Sequence, residues 1–121
     1  MGGTISFRRE VPITSQDTWH EEVGEDGFLV RAIIHWPAGC NGLVAIRITQ
    51  NGHQVVPKPP TPTSEGCQSW VALDSCVESF HIGRECKATD EIAVHVDNHD
   101  AGWPHAPSVI IEYKSKGEPK D

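Results

Sequence analysis

No run of apolar residues in this chain is long enough to cross a membrane as a helix. No stretch keeps the 3.6-residue spacing of an amphipathic helix, so helix is limited to at most one turn near Ser15–Trp19. The four cysteines form no C-x-x-C pair, which argues against a zinc ribbon or a thioredoxin-type redox motif. There is no G-x-S-x-G elbow, no P-loop and no dinucleotide fingerprint, so the expectation is a non-enzymatic protein without a cofactor. Cationic residues are also few. Ten Lys and Arg stand against 17 Asp and Glu, for a formal net charge of -7. A phosphate backbone is bound by cationic neutralisation, so nucleic acid is an unsuitable partner, and no membrane partner is expected either. The segment MGGTISFRRE lacks the apolar core of a secretory signal.

Alternation dominates what is present. Ile92, Val94 and Val96 fall on one side of an extended segment, with Ala93, His95 and Asp97 on the other. Val109, Ile111 and Tyr113 repeat the pattern. Phe28, Val30, Ala32, Ile34 and Trp36 are expected to share a face, as are Val44, Ile46 and Ile48. Asn51-Gly52 signals a hairpin between Leu43–Thr49 and His53–Val56. Thr4–Glu10 reads as a first strand, 14–17 as a turn, Trp19–Val23 as a short polar edge strand, and Trp70–Leu73 and Val77–Ile82 as two more strands. About eight short strands in 121 residues indicate a single all-β domain, an antiparallel sandwich. Residues 57–66 hold four prolines, which suits a surface crossing between sheets and a jelly-roll-like topology. Residues 1–10 form an N-terminal strand or arm, and 114–121 a polar tail.

Cys67 and Cys76 bracket an extended run and stand roughly 30 Å apart at about 3.3 Å per residue, too far for a disulfide. If the strands around Asp74-Ser75 form a hairpin, Cys67–Cys86 becomes the plausible bridge. Otherwise all four are reduced, packed thiols.

The chemically dense stretch is the loop after Val96. His95, Asp97, His99, Asp100 and His105 offer imidazole and carboxylate ligands for a divalent metal, and Asp97, Asn98 and Asp100 offer oxygens for calcium. Hydrogen-bonded polar residues on an outer face and in a turn are the plainer reading of the same group. VDNHDAGWPHAPSV is similar to the cupredoxin pattern, with Asn98, Asp100, Pro104 and His105 as matches. No Cys, His or Met follows His105, so a copper ligand set is incomplete. Among the four tryptophans, Trp36 and Trp70 sit in strand patterns and read as core. Trp19 and Trp103 have polar neighbours and read as exposed anchors, for a sugar or for a protein partner.

PAGCNGLVAIRI, NGHQVVP, WVALD and IAVHVDNHD followed by PHAPSVIIEY resemble, in layout, the small jelly-roll accessory subunits that tailed phages and related viruses place on capsids or tails. That resemblance implies a homo-oligomer, a trimer for preference, fixed to other structural proteins of a virion assembled in the host cytoplasm. Trp19, Trp103, Phe7, Pro59 and Pro60 would then make the interface. The alternatives are a carbohydrate-binding β-sandwich, possible also in an extracellular setting, and a metal-binding protein using the His95–His105 loop.

Overall fold

The computed structural model describes residues 2–57 and 70–116. Nine strands are present among them: β1 (Gly3–Arg8), β2 (Ser15–Glu22), β3 (Gly27–Trp36), β4 (Val44–Gln50), β5 (His53–Val56), β6 (Val71–Ala72), β7 (Cys76–Cys86), β8 (Glu91–Asn98) and β9 (Ser108–Ser115). One antiparallel sheet has the order β1-β9-β3-β7, the other β2-β8-β4-β5, with β6 beside β4. Apart from β4, β5 and β6, which stay in one sheet, successive strands cross from sheet to sheet, the strand order of a jelly roll.

The core forms where the alternating faces meet. Ile92, Val94 and Val96 of β8, Val44, Ile46 and Ile48 of β4, and Val109 and Ile111 of β9 are all buried. Two tryptophans fill the middle. Buried Trp36 donates its indole N–H to the Val44 carbonyl at 3.0 Å. Buried Trp19 donates to the Asp17 carboxylate at 2.8 Å and stacks on Phe7 with ring centroids 6.2 Å apart. Each indole therefore contributes apolar area without an orphan donor. The Asn51-Gly52 hairpin is as expected: both residues take positive φ, 50° and 86°, as a two-residue primed turn requires.

Several expectations need correction. Trp19 is not an exposed anchor; its β2 register sets it opposite Val94, and only its neighbours Thr18 and His20 face outward. Residues Ser15–Trp19 hold neither a turn nor a helical turn, because the whole segment pairs with β8. Phe28 does not share the inward face. Pairing shifts between Leu29 and Arg31, with Val30 as an extra residue against β9, so Leu29 turns inward and Phe28 outward. Of the two readings of the N-terminal segment, strand or arm, the strand is the one formed: β1 pairs with β9 along its length, Ile5 is buried, and Phe7 packs on the core. The tail begins later, since β9 runs through Ser115. β6 and β7 form no hairpin at Asp74-Ser75; they belong to different sheets, which removes the premise for a Cys67–Cys86 bridge. Cys86 is a buried free thiol, as is Cys40, and Cys76 is free and partly buried. Pro59, Pro60 and Cys67 lie outside the described residues.

Deleting residues 1–10 is expected to destabilise the sandwich, because it strips an edge strand and uncovers Trp19. Ile5→Ala alone should cost about 2 kcal/mol, read as a lower urea midpoint with unchanged slope. A truncated chain as stable as the parent would contradict this packing.

Candidate functional site

The loop between β8 and β9 is built on Asn98. Its side chain is buried at the end of β8, and its amide nitrogen donates to the carbonyls of Val11, Pro12 and Trp103 at 3.1, 3.1 and 3.2 Å. Its Oδ1 accepts from the Asp100 N–H at 2.9 Å. Asp100 then organises the turn. Oδ1 accepts from the N–H groups of Gly102 and Trp103 at 2.8 and 3.3 Å, and Oδ2 meets His105 Nε2 at 2.8 Å. These bonds, the His105 contact foremost, hold the Asp100 carboxyl below the usual carboxylate range. His105 is also clamped through its backbone, which exchanges hydrogen bonds with Val11.

The scaffold presents Trp103 to solvent at 72% exposure. It lines an open cleft of about 400 Å³ together with Pro104, His105, Asp100, Asn41, Gly39 and Ala38. The facing turn is held in its own right: the Asn41 N–H donates to Asp74 Oδ1 at 2.9 Å, and Leu43 N–H to the Cys40 carbonyl at 2.8 Å. Ile13 and Leu43, both exposed, belong to the same end of the sandwich. Thr14 N–H bonds the Asp100 carbonyl, and His99 N–H bonds the Leu43 carbonyl.

His95 and Asp97 lie elsewhere, on the outer face of the five-stranded sheet. His95 rests between the hydroxyls of Thr18 and Thr49, with nitrogen–oxygen distances of 3.4 and 3.1 Å. Burial, followed by the charges of Arg47 and His20, lowers its pKa to about 4. Asp97 Oδ2 accepts from Gln16 Nε2 at 3.0 Å and contacts exposed His99 at 3.1 Å.

The five proposed metal ligands are thus divided among three places: His95 in its threonine cradle, Asp97 with His99, and Asp100 with His105. Among the described residues no three His, Cys, Asp or Glu side chains gather to hold a metal. The calcium candidates are likewise engaged within the loop. Asn98 Oδ1 and both Asp100 oxygens are spent on the loop's own N–H groups and His105. Trp70 is partly exposed, not core; Arg47 lies over its ring, 5.4 Å from the centroid. Asn98 as the organiser, and Arg47 and Trp70 as neighbours of His95, were not picked out from the sequence. The one available signal for Asn98 was its place at the end of an alternating strand, directly before the turn residues.

No protein-family model matches the sequence, and no curated protein does. Among solved structures, one titled as the crystal structure of FLHE aligns with TM-score 0.43 and 9% identity, over 93% of this chain and 98% of that one. A chitosan-binding module from a chitosanase/glucanase of Paenibacillus sp. IK-5 aligns with TM-score 0.45 and 14% identity, over 88% of this chain and 75% of that one. At these values the likeness carries no inference for this chain.

Two outcomes are expected from this geometry. Asn98→Ala, and equally Asn98→Asp, should cost about 2 kcal/mol by removing the side-chain amide to which the Val11, Pro12 and Trp103 carbonyls are tied, measured by chemical denaturation. Acid should weaken the fold from pH 6.5 towards 4, because His95 stays neutral when folded and takes up a proton when unfolded. His95→Gln should flatten the stability profile across that window; an unchanged slope would show that His95 does not carry it.

Proposed function

We propose that this protein is a carbohydrate-binding β-sandwich module whose ligand enters the loop-end cleft beside Trp103. The observation that carries the reading is an indole left 72% exposed on a loop otherwise fixed by internal hydrogen bonds. Exposing an indole forgoes roughly 2 kcal/mol or more of burial, so a rigid scaffold that presents one suits a ligand with an apolar face. A pyranose ring offers that face through its C–H groups. The cleft adds polar groups, with Asn41 and the Gly39 backbone in its lining. Its volume of about 400 Å³ suits one or two sugar rings. Asp100 and His105 act as positioning residues, since their polar atoms are engaged in holding the loop.

Trp103→Ala should abolish or weaken binding on a glycan array by at least tenfold, with unfolding midpoint and oligomeric state unchanged. Wild-type protein that binds no glycan at all would sink the proposal.

A second reading, an assembly subunit, draws on the exposed apolar side chains of Ile13 and Leu43, in or beside segments hydrogen-bonded to the β8–β9 loop. It requires a stable homo-oligomer in light scattering, lost in Trp103→Ala with Ile13→Ser. A monomer at all concentrations would remove it.

A further inference from the structure

Two asparagine–glycine pairs stand in turns of this sandwich, Asn41-Gly42 shortly before β4 and Asn51-Gly52 between β4 and β5. The backbone explains the residue types. Asn41 and Gly42 take φ of 49° and 72°, and Asn51 and Gly52 take 50° and 86°. Successive left-handed positions select asparagine followed by glycine, because bulkier side chains crowd the backbone there. The same pair is the one most open to deamidation. Glycine has no side chain to shield its nitrogen, so that nitrogen can reach the carboxamide carbon of the asparagine before it.

The two carboxamides are held differently. Asn51 is fixed through both polar atoms. Its Nδ2 donates to Asp90 Oδ1 at 2.8 Å, and its Oδ1 accepts from the Glu91 N–H at 2.9 Å. Asp90 is anchored in turn, accepting from the Lys87 N–H at 2.9 Å and from Gln50 Nε2 at 2.8 Å. To swing onto the Gly52 nitrogen, the Asn51 side chain must first break both of its bonds. Asn41 is exposed and tied by its backbone, whose N–H donates to Asp74 Oδ1 at 2.9 Å. Its carboxamide has no hydrogen-bond partner among the described residues. The Gly42 N–H, on the attacking side, makes a long bond of 3.3 Å to the Leu73 carbonyl. Rotation of the Asn41 side chain towards that nitrogen therefore breaks no side-chain bond within the described structure.

We propose that Asn41 is a site of spontaneous deamidation, which adds a negative charge to the loop-end cleft as the protein ages. The Gly42 nitrogen gives its proton to solvent base and bonds to Asn41 Cγ. The bond from Cγ to Nδ2 breaks, and that nitrogen takes a proton and leaves as ammonia. A five-membered succinimide remains. Water opens the ring at either carbonyl, giving aspartate or isoaspartate. Nothing is oxidised or reduced, and water is the co-reactant. The position gives the charge its effect. Asn41 lines the cleft together with Asp100, and no Lys or Arg is in that lining among the described residues. The new carboxylate also arises on the residue whose N–H is held by Asp74, so like charges meet in this turn. The modification does not depend on what the cleft binds.

The test is ageing of the full chain at mildly alkaline pH, followed by tryptic digestion and mass spectrometry. Cleavage after Arg31 and Arg47 places the two asparagines in different peptides. A parallel sample is aged in concentrated urea, where neither turn persists. In the folded protein the Asn41 peptide should convert at least tenfold faster than the Asn51 peptide, and in urea the two should convert at similar rates. Equal conversion in the folded protein overturns the proposal, because the Asn51 hydrogen bonds would then protect nothing. Conversion of the Asn41 peptide in urea but not in the folded protein also overturns it, because the turn would then shield Asn41. A preference for Asn41 as large in urea as in the folded protein assigns the selectivity to flanking sequence and removes the structural argument.

Discussion

One buried carboxamide ties this end of the sandwich together. Asn98 stands where β8 leaves the sheet, and the chain there must reverse through a loop that also carries the 11–14 segment. Both segments bring backbone carbonyls to the buried Asn98 side chain. A carboxamide has two N–H bonds and an acceptor oxygen on one rigid plane, so with one N–H shared between two carbonyls it serves Val11, Pro12 and Trp103 while taking the Asp100 N–H. A carboxylate would offer no donor, and an apolar residue would offer nothing. The Asp100 turn, the His105 clamp and the exposure of Trp103 all follow from that anchor.

The core obeys a second constraint, the phase of alternation in each strand. Trp19 and Trp103 illustrate it. Both have polar neighbours in sequence. Trp19 lies in an extended edge strand where alternate residues face opposite sides, so its polar neighbours Thr18 and His20 point outward while it points in. Trp103 lies in a turn whose backbone is committed to Asp100 and Asn98, and no facing sheet covers it. The same local chemistry therefore produced opposite burial. In β3 the phase itself changes at Val30, which is why Leu29 and not Phe28 joins Ala32, Ile34 and Trp36 in the core.

Polar chemistry in this protein is mostly structural, which bears on how its histidines are read. His95 and His105 are held by partners that fix their rings, threonine hydroxyls in one case and Asp100 in the other. A side chain that completes a hydrogen-bond network is a poor metal ligand, because binding a metal would first break that network. A group of a different kind is the Trp103 indole, which faces solvent. The proposed binding function rests on it.

The sequence by itself determined the class of the protein. Period-two alternation, proline and glycine punctuation and the Asn51-Gly52 turn are local signals, and local backbone geometry answers to them directly. Hence the strands, the hairpin and the inward faces of β4, β8 and β9 were legible. The candidate site was only half legible: Trp103, Asp100 and Asn98 stood out by residue type, but Asn98 read as a metal ligand and not as the organiser of the loop, Trp70 read as core, and Arg47 did not stand out. The tertiary structure alone decided which neighbours each polar group meets. The strand pairing that sets Arg47 beside His95 joins residues about fifty apart in sequence, and the extra residue at Val30 shows only against its partner strand. Hydrogen bonding and burial depend on those distant partners, and no local pattern encodes them.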